Sequence, residues 1–185
     1  MAARWVILDR DGVINYDAEA FIRTPEQWQP IPGSLSAIAA LSRAGWRVAV
    51  ATNQSGLARG LLDTRTLEAI HERLYSAVAE AGGRIDSLAY CPHGPEDGCD
   101  CRKPRPGLYR QLAARLGAPL GRTPVIGDSA RDLTAARAVG ARPILVRTGK
   151  GEQALAEGAC PAGAEVYADL RAAAAQLLEE EEDTA

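Results

Sequence analysis

The stretch WVILDRDGVIN, residues 5–15, starts as a strand and is broken by charge. Trp5, Val6, Ile7 and Leu8 form a short apolar run of the kind that lies inside a parallel sheet. Asp9, Arg10 and Asp11 follow at once. In an extended chain residues i and i+2 face the same side, so both carboxylates address one spot. Like charges that close repel, and without a partner one of them tends to hold a proton. The pair asks for a metal ion or a substrate; otherwise it only faces water.

Similar apolar runs recur at 46–51, 85–90, 124–126 and 143–146, with helix-patterned stretches between them. Ser34 is placed to cap a helix that closes at Gly45, and Asp63 or Thr64 opens another that runs to Gly82 and Gly83. Pro106 suits the first turn of residues 106–117, and residues 129–140 end at Gly140. This alternation predicts an α/β fold: a doubly wound, Rossmann-like parallel sheet flanked by helices, because parallel strands need helical crossovers. Residues 1–178 are expected to form a single domain. No insertion after the first or third strand is long enough for a separate cap domain. The segment Asp17–Pro32, with Pro25, Pro30 and Pro32, reads as an ordered surface loop. Residues 179–185, EEEEDTA after Leu178, read as a flexible acidic tail.

Polar residues gather where three of these strands end. The first gives Asp9 and Asp11; the second gives Thr52, Asn53, Gln54 and Ser55; the fourth gives Asp128 and Ser129, with Asp132 one turn later. In an open parallel sheet the strand ends share one edge, and ligands bind there. Asp9, Asp11 and Asp128 can therefore converge and hold a hard cation, Mg²⁺ being the choice that takes oxygen ligands and tolerates a phosphate beside them. The chemistry this supports is phosphoryl transfer through a carboxylate. Asp9 would attack phosphorus, and Asp11 would protonate the departing oxygen and then deprotonate water. Asn53, Gln54 and Ser55 are candidate donors to a substrate's hydroxyls or phosphate.

Composition narrows the partners. The 21 basic and 24 acidic residues give a net charge of −3, which argues against a nucleic-acid face. No run approaches a membrane span, and the N-terminus does not resemble a signal peptide, so a cytoplasmic protein acting on a small molecule is expected. Cys91, His93, Cys99 and Cys101 crowd into one turn-rich loop, 91–103, which ends in Arg102 and Lys103. Three thiolates and one imidazole complete a closed tetrahedral site, the pattern of structural Zn²⁺. Arg102 is a candidate fork for a second, remote phosphate. Arg59 and Arg147 are weaker candidates for the same task. Cys160 stands apart as a bystander, and His71, beside Glu72 and Arg73, is expected at the surface. With no apolar surface stripe the chain is expected to be a monomer.

DRDG after a strand, the strand-end Thr52, Lys103 and the segment GDSARD (127–132) resemble the four motifs of the haloacid-dehalogenase-like phosphatases, over Trp5 to about Val146. The resemblance implies that Asp9 is the nucleophile and Asp11 the general acid/base. It further implies that Thr52 and Lys103 bind the phosphoryl group and that Asp128 is a metal ligand. Asp11 would reach the metal through its backbone carbonyl, and Asp132 is a supporting acid. Within that superfamily the cysteine–histidine loop with CRKP is similar to a group that hydrolyses either a heptose bisphosphate or histidinol phosphate. ATNQSGLARG and LVRTGKG look more like the sugar-bisphosphate side, which implies a place in lipopolysaccharide-core synthesis. A rival of another class is a zinc-stabilised binding module that has lost catalysis.

Overall fold

Residues 4–18, 21–121 and 123–182 are described, in a computed structural model of the chain. Strands and helices alternate as β1 (Arg4–Leu8), α1 (Ser34–Arg43), β2 (Trp46–Asn53), α2 (Thr64–Glu80), β3 (Ser87–Cys91) and α3 (Gly107–Leu116). They continue as β4 (Pro124–Gly127), α4 (Ala130–Arg137), β5 (Arg142–Val146), α5 (Gly151–Ala156), β6 (Glu165–Tyr167) and α6 (Leu170–Glu182). The strands form one sheet in the order β3-β2-β1-β4-β5-β6, and every pairing is parallel. This is the doubly wound architecture that the alternation predicts.

Both faces of the sheet are covered, which is why the strands read as unbroken apolar runs rather than alternating ones. Val6 and Leu8 of β1, with Val48 and Val50 of β2, pack under α1, α2 and α6. The intervening Ile7, Ala49 and Ala51 pack under α3 and α4. Small alanines on that second face let α3 approach closely with Leu108, Tyr109 and Leu112.

Four local expectations are corrected. Ser34 is not the cap of α1: Gly33 holds that position at φ 87°, and the Ser34 hydroxyl instead donates to Ile14 O at 2.6 Å, tying α1 to the segment after β1. Asp63 does cap α2, accepting from Thr66 N at 2.7 Å. The segment 17–32 is more than surface. Ile22, Trp28 and Ile31 enter the core, and Asn15 bridges to Pro30; residues 19–20 lie outside the described residues.

The acidic run is not a free tail from 179, because α6 continues to Glu182 and two of its carboxylates, those of Glu180 and Glu181, are engaged. Glu180 and Glu165 grip Arg142 at 2.6 and 2.5 Å, and Glu181 pairs with Arg4 at 2.5 Å. Residues 183–185 lie outside the described residues. His71, expected at the surface, is buried on α2 and faces Arg10. Strand β6 escaped the sequence reading because it is a three-residue edge strand with no buried position, so no apolar run announces it.

Candidate active site

The connections run outward from β1 through β2 to β3 and then return to β4 on the other side of β1. Strand order therefore reverses between β1 and β4, and the crevice opens at their carboxyl ends. Asp9 leaves β1 there, with its N–H donating to Ile126 O of β4 at 2.9 Å. A cleft of about 290 Å³ is lined by Asp9, Asp11, Thr52, Asn53, Gln54, Ser55, Arg102, Lys103, Asp128 and Asp132. Asp9 and Asp132, at opposite ends of the motif series in sequence, thus share one wall, as the strand-edge argument requires.

Lys103 is the hub of this wall. It is 2% exposed, and its ammonium donates to Asp9 Oδ1 at 2.9 Å, Asp132 Oδ1 at 2.5 Å and Ala51 O at 2.8 Å. All of its donors are used, so its position is fixed to the end of β2. Burial disfavours the ammonium, but Asp132 and Asp9 outweigh burial and hold Lys103 charged well above its ordinary range. Asp132 closes a capping box on α4, accepting from Ser129 N at 3.1 Å and Ser129 Oγ at 2.5 Å. Burial opposes its ionisation, yet Lys103 and Ser129 bring it below the usual carboxylate range. It is an anchor for Lys103.

Asp9 and Asp128 behave oppositely. Burial first, then Asp132, pushes Asp9 well above the carboxylate range, with Lys103 only partly opposing. Burial and Asp132 raise Asp128 to about 6. Carboxylate oxygens of Asp9, Asp128 and Asp132 lie within 4.8 Å of one another. Two of these buried carboxylates, Asp9 and Asp128, strain against ionisation, and a cluster of oxygen donors at this spacing fits a small hard dication. Asp132 has both oxygens committed to Lys103 and Ser129, which leaves Asp9 and Asp128 as the carboxylates best able to serve it. The Asp11 carboxylate is outside this cluster.

Asp11 is held from four directions. Arg10 donates through Nε to Oδ1 at 3.0 Å and through Nη2 to Oδ2 at 2.9 Å. Asn15 Nδ2 donates to Oδ1 at 2.8 Å, and Gln54 Nε2 to Oδ2 at 2.9 Å. Burial opposes its charge, but Arg10 and these amides lower its pKa. Gln54 Nε2 also donates to Thr52 Oγ1 at 2.9 Å, so Thr52 and Asp11 are set by one amide. Of the groups on Asp11, Gln54 lines the cleft whereas Arg10 and Asn15 do not.

Gly12 explains how the edge closes so tightly. It sits at φ +82°, and a Cβ there would collide with Asp128 Oδ2 and come within 3.2 Å of Gly149 Cα. The Lys150 N–H donates to the same Asp128 oxygen at 2.8 Å. The loop after β5 therefore braces the carboxylate from behind.

The remaining candidates separate cleanly. Asn53 lines the cleft, but its amide clamps the Lys103 backbone in both directions, each at 3.1 Å. Ser55 lines the cleft and is buried. Arg102 lines it too, while donating to His93 O at 3.2 Å; burial and the neighbouring Arg131 lower its pKa. Arg59 also reaches the cleft, above the Phe21 ring at 5.6 Å. Arg147 does not: it is half-exposed and paired with Glu152 at 3.0 Å. Arg131 and Lys150 line the cleft and escaped the sequence reading. Their signal was present, since Arg131 lies within GDSARD and Lys150 within LVRTGKG, but nothing in either motif says which way the side chain turns.

Beside this edge the sulfur–nitrogen cluster assembles as expected. Sγ of Cys91 and Cys99 are 3.7 Å apart, and Sγ of Cys101 and Cys91 3.2 Å. His93 Nδ1 is 3.6 Å from Cys91 Sγ and 3.3 Å from Cys101 Sγ. A tetrahedral ion with bonds of about 2.3 Å to sulfur has ligand–ligand edges of roughly 3.8 Å. All four ligand atoms lie within 4.8 Å of one another, and none of the cysteines is in a disulfide. Burial pushes the Cys91 thiol up to about 12, a cost that a bound cation would remove.

Residues 100–173 match the model of the HAD-hydrolase-like family. The D-glycero-beta-D-manno-heptose-1,7-bisphosphate 7-phosphatase of Bordetella bronchiseptica is 55% identical over 95% of this chain and 98% of its own length. That of Pseudomonas putida is 57% identical over 94% of this chain and 98% of its own. Among solved structures, the D,D-heptose 1,7-bisphosphate phosphatase of B. bronchiseptica complexed with magnesium and phosphate superposes with a TM-score of 0.94. It is 54% identical and covers 96% of this chain and 99% of that one.

Proposed function

The chain belongs to the D-glycero-beta-D-manno-heptose-1,7-bisphosphate 7-phosphatase family of HAD-like phosphatases, and on that premise we propose that it removes the 7-phosphate of this sugar bisphosphate. We further propose that it does so in the cytoplasm, as a monomer, within lipopolysaccharide-core synthesis. The observation that carries the reading is Lys103, which bridges Asp9, just past the end of β1, to Asp132 on α4, while the carboxylate two residues after Asp9, Asp11, is gripped by donors.

In this reading an Asp9 oxygen attacks phosphorus while the bond from phosphorus to the sugar oxygen breaks, leaving an aspartyl phosphate. Asp11 gives its proton to the departing alkoxide, a poor leaving group without it. Asp11 then takes a proton from water, which attacks phosphorus, frees inorganic phosphate and restores Asp9. The four donors already occupy the four lone-pair sites of Asp11, so carrying a proton requires one to yield. Gln54, the donor that faces the cleft, is the one that can exchange its contact for a substrate oxygen or water. Thr52 donates to a phosphoryl oxygen, and Lys103, whose three donors are filled, does so by exchanging its contact with Asp9 for one with the phosphoryl group. Mg²⁺ held by Asp9, Asp128 and the Asp11 carbonyl would neutralise charge shared by the carboxylate and phosphoryl group. Zn²⁺ would be held by Cys91, His93, Cys99 and Cys101, where it would be structural.

Arg102 is the group we assign to the phosphate that does not react, and Ser55 is a further donor lining the same cleft. Phosphate release from heptose 1,7-bisphosphate and from histidinol phosphate, measured side by side, tests the substrate. A large kcat/KM preference for the bisphosphate is expected, and a preference for histidinol phosphate would overturn the assignment while leaving the chemistry at Asp9. Arg102→Ala is expected to raise KM for the bisphosphate about 10-fold, the worth of a hydrogen bond to a charged group, with kcat little changed. An unchanged KM would remove Arg102 from the remote site.

Gly12→Ala tests the metal arrangement. The new methyl group must displace Asp128 Oδ2 in a backbone conformation that costs an L-residue about 1–2 kcal/mol. The Mg²⁺ concentration for half-maximal rate is expected to rise 10-fold or more, on the order of what a displaced supporting group costs. An unaltered Mg²⁺ response would mean that Asp128 does not hold the ion.

A further inference from the structure

We infer that Arg10 and His71 are positioning residues for the reaction, fixing the carboxylate orientation from which Asp11 exchanges its proton. This rests on the acid/base reading of Asp11 given above.

Arg10 lies between the two aspartates in sequence, yet its side chain leaves the cleft and is 1% exposed in the interior. A buried guanidinium needs partners for its donors, and among the described residues two side chains supply them. Asp11 takes Nε and Nη2 in a fork. His71 meets Nη1 through its Nε2 at 3.2 Å. Because a guanidinium only donates, His71 Nε2 must accept, which places the ring proton on Nδ1 and keeps the imidazole neutral. Burial, then the Arg10 charge, supports this by pushing His71 down to about 3.

The ring itself is fixed. It sits on α2 at 7% exposure, and its plane tilts 53° against Tyr90 of β3 at a centroid distance of 5.8 Å. The chain of contacts thus runs from β3 and α2 through His71 and Arg10 to Asp11. A forked pair defines a plane as well as a distance, so the direction of the carboxylate follows the guanidinium. Removing the His71 acceptor leaves Arg10 Nη1 buried without that partner, and the guanidinium is free to turn and carry Asp11 with it.

The test separates proton donation from general integrity by changing the leaving group. A nitrophenolate departs without a proton, whereas an alkoxide needs one. The first-step rate is measured by rapid mixing, as the nitrophenolate burst from p-nitrophenyl phosphate and as single turnover of the sugar bisphosphate. Asp11→Asn is the reference, with a loss of about 10²-fold or more on the alkyl ester and far less on the aryl ester. His71→Leu, which keeps volume but has no acceptor, is expected to lose about 10-fold or more on the alkyl ester and under about 3-fold on the aryl ester. His71→Gln, whose amide oxygen can take the Nε2 position, is expected to recover most of the alkyl rate. If the leucine variant does not fold, His71→Asn carries the same test, because its amide is too short to reach Nη1. Equal losses on both esters, or none, would overturn the positioning role. If Asp11→Asn shows no leaving-group dependence, the acid/base reading falls first, and the inference with it.

Discussion

Asp9→Asn is expected to lower phosphate release from the sugar bisphosphate by about 10⁴-fold or more, the order of loss when a covalent nucleophile is removed. It is also expected to leave the melting temperature of the metal-free protein unchanged or raised. The second half follows from the electrostatics. Asp9 is held against ionisation by burial first and then by Asp132, Asp128 and Asp11, with Lys103 opposing them. An amide of the same shape removes the repelled charge and still accepts from the Arg10 N–H, which now meets Asp9 Oδ1 at 2.7 Å. Lys103 keeps Asp132 at 2.5 Å and the Ala51 carbonyl at 2.8 Å, so it is not left buried and unpaired.

A site that costs stability in order to hold reactive groups together is the usual trade between activity and stability. Mg²⁺ should reverse the order, because an ion that binds the native state stabilises it in proportion to its affinity. Wild type is therefore expected to gain more from added Mg²⁺ than the variant does. Thermal melts with and without Mg²⁺, beside an acid-quenched search for phosphoenzyme, check the whole set. Turnover unchanged in the variant would rule out covalent catalysis at Asp9.

The parts of this site that sequence reveals are those with a local signature. A strand that ends in Asp-x-Asp, a strand that ends in Thr-Asn-Gln-Ser and the acids of GDSARD each mark a carboxyl end. The sheet's single sense then gathers them at one edge. The cysteines and histidine of the 91–103 loop are legible for the same reason, since metal ligands must be close in space and here are close in sequence.

What escapes is direction. Asn53 and Gln54 both read as substrate donors, yet Asn53 clamps the backbone of Lys103 and Gln54 orients Asp11. His71 sits in a polar stretch with Glu72 and Arg73, but the turn of α2 points it inward at a cation 61 positions away. Arg147 and Arg131 are the same residue type, and only the position of each on its element decides that Glu152 takes the first while the second reaches the cleft. Strand β6 and helix α6 are missed because half-exposed edges and alanine-rich helices carry little periodic contrast.

Chelation of Zn²⁺, or Cys91→Ser, is expected to lower the melting temperature by about 10 °C or more and to reduce kcat/KM by at least about 10-fold. The loop from Cys91 to Lys103 has little core of its own: Pro95 through Gly98 are exposed, and Cys99 and Cys101 only touch the edge of the α3 cluster. Zinc binding is worth about 10–16 kcal/mol in isolated finger peptides, so even a fraction of that, on the order of 3–4 kcal/mol, holds such a loop. For a chain of this size each kcal/mol moves the midpoint by roughly 2–4 °C, which gives the stated shift. Activity follows because the loop delivers Arg102 and Lys103. Arg102 is anchored on the carbonyl of the ligand His93, and the Lys103 backbone hangs on Asn53. Loosening the first anchor frees the residue assigned to the remote phosphate, and loosening the second shifts the ammonium that binds Asp9. Cys160→Ser is the control, since Cys160 lies among Leu133 and Leu145 on the far side of β5 and should change neither quantity. A metal assay that finds one Zn²⁺ per chain, lost together with the melting transition in Cys91→Ser but not in Cys160→Ser, is the expected outcome. A melting temperature untouched by chelation would show that the four ligands hold no structural ion.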